Sequence, residues 1–245
     1  MNMPRLNHNG FTLIEIVTII LVIGVIATVA TLRLNESIDT ALYEQTKREM
    51  DNLAAAIAGN PEINASGSRA DFGYVGDIGA YPTSLDDLVA NPGGFSTWNG
   101  PYIAGDLENN GFKLDGWKVP YVYLDSLIRS VGSGSDIDKR VVASSAALFS
   151  NQVSGSIRDA NNHMPGATYD DSVTVQLRYP NGAGALATAT INPNHFGQFT
   201  YTGIPVGNHT LHIIYEPDND TVTYSVTVYP GKDVKLGIVF PSDLW

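Results

Sequence analysis

The sequence predicts an α+β protein: a long N-terminal membrane-spanning helix packed on a small antiparallel sheet, followed by an all-β sandwich. Three observations carry this reading. From Phe11 to Leu34 the chain is almost wholly Ile, Val, Leu, Ala, Thr and Gly. From Asn35 to Ala58 apolar residues return at helical spacing among charged ones. Beyond Asn151, six short runs alternate apolar with polar residues between turn signals. The chain therefore divides into residues 1–10, a polar leader; 11–58, a helix whose 11–34 part is transmembrane; 59–150, a globular domain; and 151–245, a β-sandwich.

The apolar run organises the rest. A helix of about 22 residues at about 1.5 Å per residue is roughly 33 Å long, enough to cross a bilayer core of about 30 Å. Glu15 is the one ionisable residue between Phe11 and Leu32. A carboxylate at mid-membrane depth costs roughly 2.5–3.5 kcal/mol or more and normally has a partner. A secretory signal cut after Ala30 competes, but its apolar core spans about 7–15 residues and this one is longer. An uncleaved anchor explains the length without explaining Glu15 or Gly10-Phe11, and a buried helix of a soluble core explains still less.

Gly10-Phe11-Thr12-Leu13-Ile14-Glu15 resembles the processing site of class III signal peptides, shared by type IV pilins and type II secretion pseudopilins. The resemblance implies that a membrane prepilin peptidase cuts after Gly10 and that the new amino-terminal Phe11 is N-methylated. It also implies that the leader lies in the cytoplasm, since Arg5 before the run and Arg33 in its last turn leave the positive-inside rule undecided. The freed Phe11 amine is mostly charged at neutral pH. Glu15 of one subunit is then expected to pair with that amine of a neighbour, so that two charges costly in lipid neutralise each other during assembly. Leu32 stands where many of these proteins carry a helix-kinking proline.

Composition narrows the function. The 245 residues hold 14 Lys and Arg against 25 Asp and Glu, a net charge of −11, and loss of Met1–Gly10 removes one Arg and no acid. This acidity argues against a nucleic-acid partner, which selects a clustered basic surface. With no cysteine there is neither a disulfide framework nor a thiolate metal site.

Beyond the membrane, Ile38, Leu42, Met50, Leu53 and Ile57 predict one helical face, expected to pack on a small sheet. Gly59-Asn60-Pro61 stops the helix. Glu62–Ala80, rich in Gly, Ser, Asn and Asp, reads as a loop. Tyr81–Val89 reads as a short capped helix, with Ser or Thr after Pro82 and Asp86-Asp87 following. Asp115–Tyr123 reads as a turn followed by a half-buried aromatic strand. Tyr81-Pro82-Thr83, Trp98-Asn99-Gly100-Pro101-Tyr102 and Asp115-Gly116-Trp117-Lys118-Val119-Pro120-Tyr121-Val122-Tyr123, in this order, are similar to the globular domain of the major pseudopilin of type II secretion. With the leader, the likeness covers about residues 10–140. Gly116 replaces a proline of that pattern and Lys118 a glycine. Trp98, Trp117, Tyr121 and Tyr123 are read as filling a small core. In that family the following loop binds calcium, which implies a site at Asp136 and Asp138 with Asp125 upstream. Calcium wants about six to eight oxygens, and a Gly/Ser turn with solvated acids is the competing reading.

The six runs are Val153–Asp159, Val173–Tyr179, Phe196–Tyr201, His209–Tyr215, Val222–Val228 and Val234–Phe240. Gly197-Gln198-Phe199-Thr200-Tyr201 with Ile204-Pro205-Val206-Gly207-Asn208-His209-Thr210-Leu211 resembles carboxypeptidase regulatory-like, transthyretin-like sandwiches, over about residues 152–240. Those modules are mostly structural or binding appendages. Some similar sandwiches carry a covalent Lys–Asn crosslink, but nothing singles out Lys232 or Lys235 for one.

Catalytic signals are sparse. Gly182-Ala183-Gly184 lacks the third glycine and the βαβ setting of a dinucleotide site, and no Gly-x-Ser-x-Gly elbow occurs. His209 and His212, three apart in a strand, point to opposite faces. His163 and His195 read as surface residues in turns, since few neighbouring acids cluster with them. The expectation is a structural filament subunit and not an enzyme. It is processed by prepilin peptidase, held in the inner membrane as a single-pass protein with a periplasmic body, and assembled with copies of itself, minor pseudopilins and an assembly platform. The product is a periplasmic or extracellular filament, for type II-type secretion. The alternatives are a surface type IV pilus-like fibre and a membrane-anchored binding module whose sandwich carries adhesion.

Overall fold

A computed structural model describes residues 11–65, 67–103 and 108–245. Gly10 and the leader lie outside the described residues. The chain separates into two units, one ending at Gln45 and one running from Thr46 to Trp245.

Helix α1 runs without interruption over Leu13–Ala58, passing through Leu32 as regular helix. In the first unit its apolar side chains are exposed apart from half-buried Leu42. In the second unit, Thr46, Met50, Leu53 and Ile57 are buried on one face, at the three- and four-residue steps that share a helix side. Ile38 is 47% exposed and Leu42 half-buried, so burial of the predicted face begins only at Thr46. Spacing defines a face; it does not say where along the helix something lies against it.

The helix ends as expected. Gly59 takes φ 78°, and a Cβ there would stand 2.4 Å from the Asp71 carbonyl oxygen, so only glycine turns the chain here. Arg69 Nη2 donates to the Ala58 carbonyl at 2.6 Å, and the buried guanidinium lies 4.7 Å from the centre of the Phe72 ring.

Glu62–Ala80 is not the plain loop its composition suggests. It holds a minimal hairpin, β1 Asn64–Ala65 with β2 Ser68–Arg69, and α2 Gly73–Ile78. Tyr74, Val75 and Ile78 of α2 are buried. Six residues are too few to print a helical period on a Gly- and Asp-rich stretch. The strand after Asp115 is also shorter than expected: β3 spans Val122–Leu124. It pairs antiparallel with β4 Leu127–Ser130, which pairs with β5 Ile137–Arg140. Against these strands and α1 lies a core of Met50, Leu53, Ile57, Tyr74, Val75, Leu88, Tyr121, Ile128 and Leu148. Trp98 and Tyr123 pack on it partly buried; Trp117 stays half-buried outside it.

A short helix, α3 Ser145–Phe149, leads into the sandwich. One sheet has the order β11-β10-β7-β8 and the other β12-β6-β9. These strands are β6 Asn151–Arg158, β7 Val173–Pro180, β8 Leu186–Ile191, β9 Gln198–Ile204, β10 Gly207–Tyr215, β11 Asp220–Val228 and β12 Val234–Val239; α4 Gly166–Tyr169 precedes β7. All six predicted runs are strands. The seventh, β8, is an edge strand of Leu, Ala, Thr and Ile with no fully buried residue, so it lacks the strong alternation that marks the others. β12 pairs parallel to β6. Val153, Ile157, Leu177, Leu211, Ile213, Val228 and Phe240 centre this second core.

Residues 59–150 and 151–245 both lie in the second unit. Val206 joins the core of the first region, its N–H donating to Leu148 at 2.8 Å. Gly182 N–H donates to Ile78, and Ser96 N–H donates to Gly184. The change of composition at Asn151 marks a change of secondary structure inside one compact unit.

Candidate assembly interface

The start of α1 is a reciprocal cap. Thr12 N–H donates to Glu15 Oε2 at 3.2 Å, and Glu15 N–H donates to the Thr12 hydroxyl oxygen at 3.3 Å. The Thr12 hydroxyl also donates to Glu15 Oε2. This is a Thr-x-x-Glu capping box, which satisfies amides that an apolar solvent would leave bare. Sequence reasoning placed weight on Glu15 but missed this role, although Thr12-Leu13-Ile14-Glu15 spells it.

Along the run, Phe11, Leu13, Ile14, Ile20, Leu21, Ile26, Leu32 and Leu34 are each at least 60% exposed. The hydroxyls of Thr18, Thr28 and Thr31 donate to the carbonyls of Ile14, Gly24 and Ala27, four residues back. The polar atoms inside the run are thus consumed within the helix, and what α1 offers outward is apolar all round. The Arg33–Glu36 ion pair at 3.1 Å closes the segment.

The three aromatic motifs are structural joints. Asp87 accepts from Thr83 N–H and the Thr83 hydroxyl, both at 2.7 Å, and forms a capping box with Ser84. The Trp98 indole donates to the Asp87 carbonyl at 2.9 Å. Tyr102 donates to Asp77 at 2.8 Å and accepts from Asn99 N–H. A Cβ on Gly100 would stand 2.4 Å from the Trp98 ring. Buried Asp115 accepts from the amides of Trp117, Val119 and Gly132 and from the Ser130 hydroxyl. Lys118 holds φ 66°, the left-handed conformation that favours the glycine of the pseudopilin pattern. The motif joins α1 where Gly116 N–H donates to the Thr46 hydroxyl at 3.0 Å and where the Tyr121 hydroxyl donates to Glu49 at 2.9 Å.

Of the residues expected to hold calcium, Asp136 and Asp138 both face Arg129. Arg129 pairs with Asp136 at 2.8 Å and with Asp138 at 2.6 Å. The Arg129 hydrogen bond holds the Asp138 carboxyl below its ordinary range. Asp125 sits at φ 49° in the β3–β4 turn and joins no carboxylate cluster suited to a metal among the described residues.

His209 and His212 point apart, as their spacing requires. His209 is buried with Nε2 2.7 Å from the Pro205 carbonyl oxygen, while His212 meets the Thr223 hydroxyl. Lys232 and Lys235 are exposed, and His195 lies against Phe196 at the surface. His163 departs from expectation: the fold brings it to Asp159 and Asp243. Asp159 is only four residues away; Asp243 comes from the opposite end of the sandwich sequence, which no local pattern connects.

The chain is 33% identical over 98 residues to the type II secretion system core protein G of Xanthomonas campestris pv. campestris, covering 40% of this chain and 59% of that protein. It thus spans less than two thirds of that relative's length. No protein-family model matches. Among solved structures, the dioxygenase domain of a dioxygenase carbohydrate-binding protein fusion from Streptomyces sp. SirexAA-E is 13% identical at a TM-score of 0.28, covering 42% of this chain and 86% of that one. The major pilin subunit of Bacillus cereus is 17% identical at a TM-score of 0.27, covering 48% and 37%. At these scores neither structural likeness bears on fold or function.

Proposed function

We propose that this chain is a pilin-like filament subunit, cut after Gly10, held in the inner membrane by residues 11–34 and drawn from there into a helical filament. The observation that carries the reading is the bare apolar surface around the first turns of α1. Burying one large apolar side chain stabilises by roughly 1.5–3 kcal/mol relative to water, so this surface is covered by lipid before assembly and by neighbouring helices after it. Lipid is as apolar as leucine, and leaving it for a helix bundle gains little from hydrophobicity. Packing and polar pairing decide that step, which gives the Glu15 carboxylate and the Phe11 amine of the next subunit their part in setting register.

Within this class the type II secretion pseudopilin is favoured by similarity to a core protein G and by the Tyr81–Tyr123 motifs. Prepilin peptidase, an inner-membrane assembly platform, minor pseudopilins and other copies of the chain are then its partners, and the body lies in the periplasm. A surface fibre of the type IV pilus kind is the neighbouring form of the same reading. The location of sheared filaments separates the two.

The Thr12–Glu15 box favours a second reading, a membrane-anchored binding module in which Glu15 serves only its own helix. The intact mass of the purified mature chain tests the first reading. Loss of Met1–Gly10 with gain of one methyl group is expected; a retained leader or a start at Thr31 overturns it.

A further inference from the structure

Where β6 ends, the chain makes a tight loop at Asp159–His163 that meets the 240–245 segment. Phe240 N–H donates to the Arg158 carbonyl, Ala160 N–H to Ser242, and the Trp245 indole to the His163 carbonyl. One ligand atom from each of Asp159, His163 and Asp243 lies within 4.8 Å of the others. Asp159 is fully buried. Its Oδ1 accepts the His163 amide at 2.7 Å, but its buried Oδ2 accepts no hydrogen bond. The neighbouring guanidinium of Arg158 is turned instead to Asn162 Oδ1 at 2.7 Å. A buried carboxylate oxygen that accepts no hydrogen bond is costly. Here it is aimed at an imidazole nitrogen 3.4 Å away and placed beside a second carboxylate.

We infer that Asp159, His163 and Asp243 form a binding site for a divalent cation of the zinc class, which fastens the 241–245 segment to the end of β6. Two tetrahedral ligands at about 2.1 Å from one zinc stand about 3.4 Å apart, the separation already present between His163 Nδ1 and Asp159 Oδ2. A set of one imidazole and two carboxylates suits a first-row transition ion; calcium prefers about six to eight oxygens. His163 and Asp243 are exposed, so both can close on the ion while Asp159 stays in place. Water completes the fourth position.

The test uses the full, untagged chain in detergent, stripped with a chelator and titrated with zinc chloride by calorimetry and thermal unfolding. The expected result is one zinc ion per chain and a chelator-reversible rise in unfolding temperature, with calcium chloride giving no such rise. Asp159→Asn risks the fold, so the deciding variants are His163→Ala and Asp243→Asn, both at exposed positions. Losing an outer-shell partner alone weakens metal binding by about ten- to hundredfold, so each ligand variant is expected to lose at least about tenfold, with its metal-free unfolding unchanged. Absence of zinc binding, zinc affinity in either variant equal to that of the parent chain, or a larger shift with calcium than with zinc overturns the inference.

Discussion

The Glu15 carboxylate accepts the backbone N–H of Thr12, and the Thr12 hydroxyl oxygen accepts that of Glu15. Under the filament reading one acid has two separable properties at the start of the apolar helix: a hydrogen-bond acceptor for its own chain and a negative charge for a neighbour. Glu15→Gln keeps the first and removes the second, since Gln also completes a capping box. Under the filament reading, both Glu15→Gln and Glu15→Leu insert into membranes but lose filaments in shearing and electron microscopy. Normal filaments from Glu15→Gln would reduce Glu15 to a cap.

Lys118 sits at φ 66°, a conformation that costs an L-residue roughly 1–2 kcal/mol. Glycine removes that cost but adds freedom to the unfolded chain, offsetting about 0.4–1 kcal/mol. Lys118→Gly is expected to stabilise the chain by about 0.5–1 kcal/mol, seen as a higher urea midpoint at unchanged m-value.

Asp115 gathers four donors from two stretches of chain, 117–119 and 130–132. Asp115→Ala strands buried donors whose bonds to a charged group contribute about 1.5–3 kcal/mol each, not additively. We expect a loss of about 3 kcal/mol or more by chemical denaturation, with Trp117 fluorescence changing early. A loss no larger than that of a typical surface substitution would contradict the hub geometry.

Gly100→Ala drives a methyl group into the Trp98 ring, 2.4 Å from the nearest ring atom. Overpacking of this kind costs typically about 1–3 kcal/mol. The expected outcome is a lowered unfolding temperature with altered Trp98 emission, and a second substitution, Trp98→Leu, should recover part of it.

Burial holds His209 below its ordinary value of 6.5, opposed by its hydrogen bond to Pro205. In the window just below 6.5 the unfolded chain binds the extra proton, so stability rises with pH there and is lost as pH falls from 6.5 through the folded value. His209→Gln keeps a donor for the Pro205 carbonyl and cannot titrate. Urea midpoints of the variant should therefore fall less between pH about 7 and about 5 than those of the parent chain.

Much of this architecture is local and was legible in the residues. The apolar run, the Gly59 stop and the Ser84 cap each act within a few positions, and six alternating strands announce themselves by period. Legibility failed where the signal was short or weak: six residues of α2 leave no period, and β8 has too little apolar contrast to stand out. The change at Asn151 tracks secondary structure, while contacts across it, such as the Val206 N–H to the Leu148 carbonyl, depend on which surfaces dock.

By itself the sequence determined the membrane-length helix, the stop that ends it, six of the sandwich strands and the turns around them, because those depend on neighbours along the chain. Only the tertiary structure decided what each carboxylate faces. Asp138 meets Arg129 across a β-ladder with Asp136 beside it, and Asp159 meets Asp243 from the far end of the sandwich sequence. An ionised group's partner is set by charges and dipoles within a few ångströms in space, and separation in sequence carries no such distance.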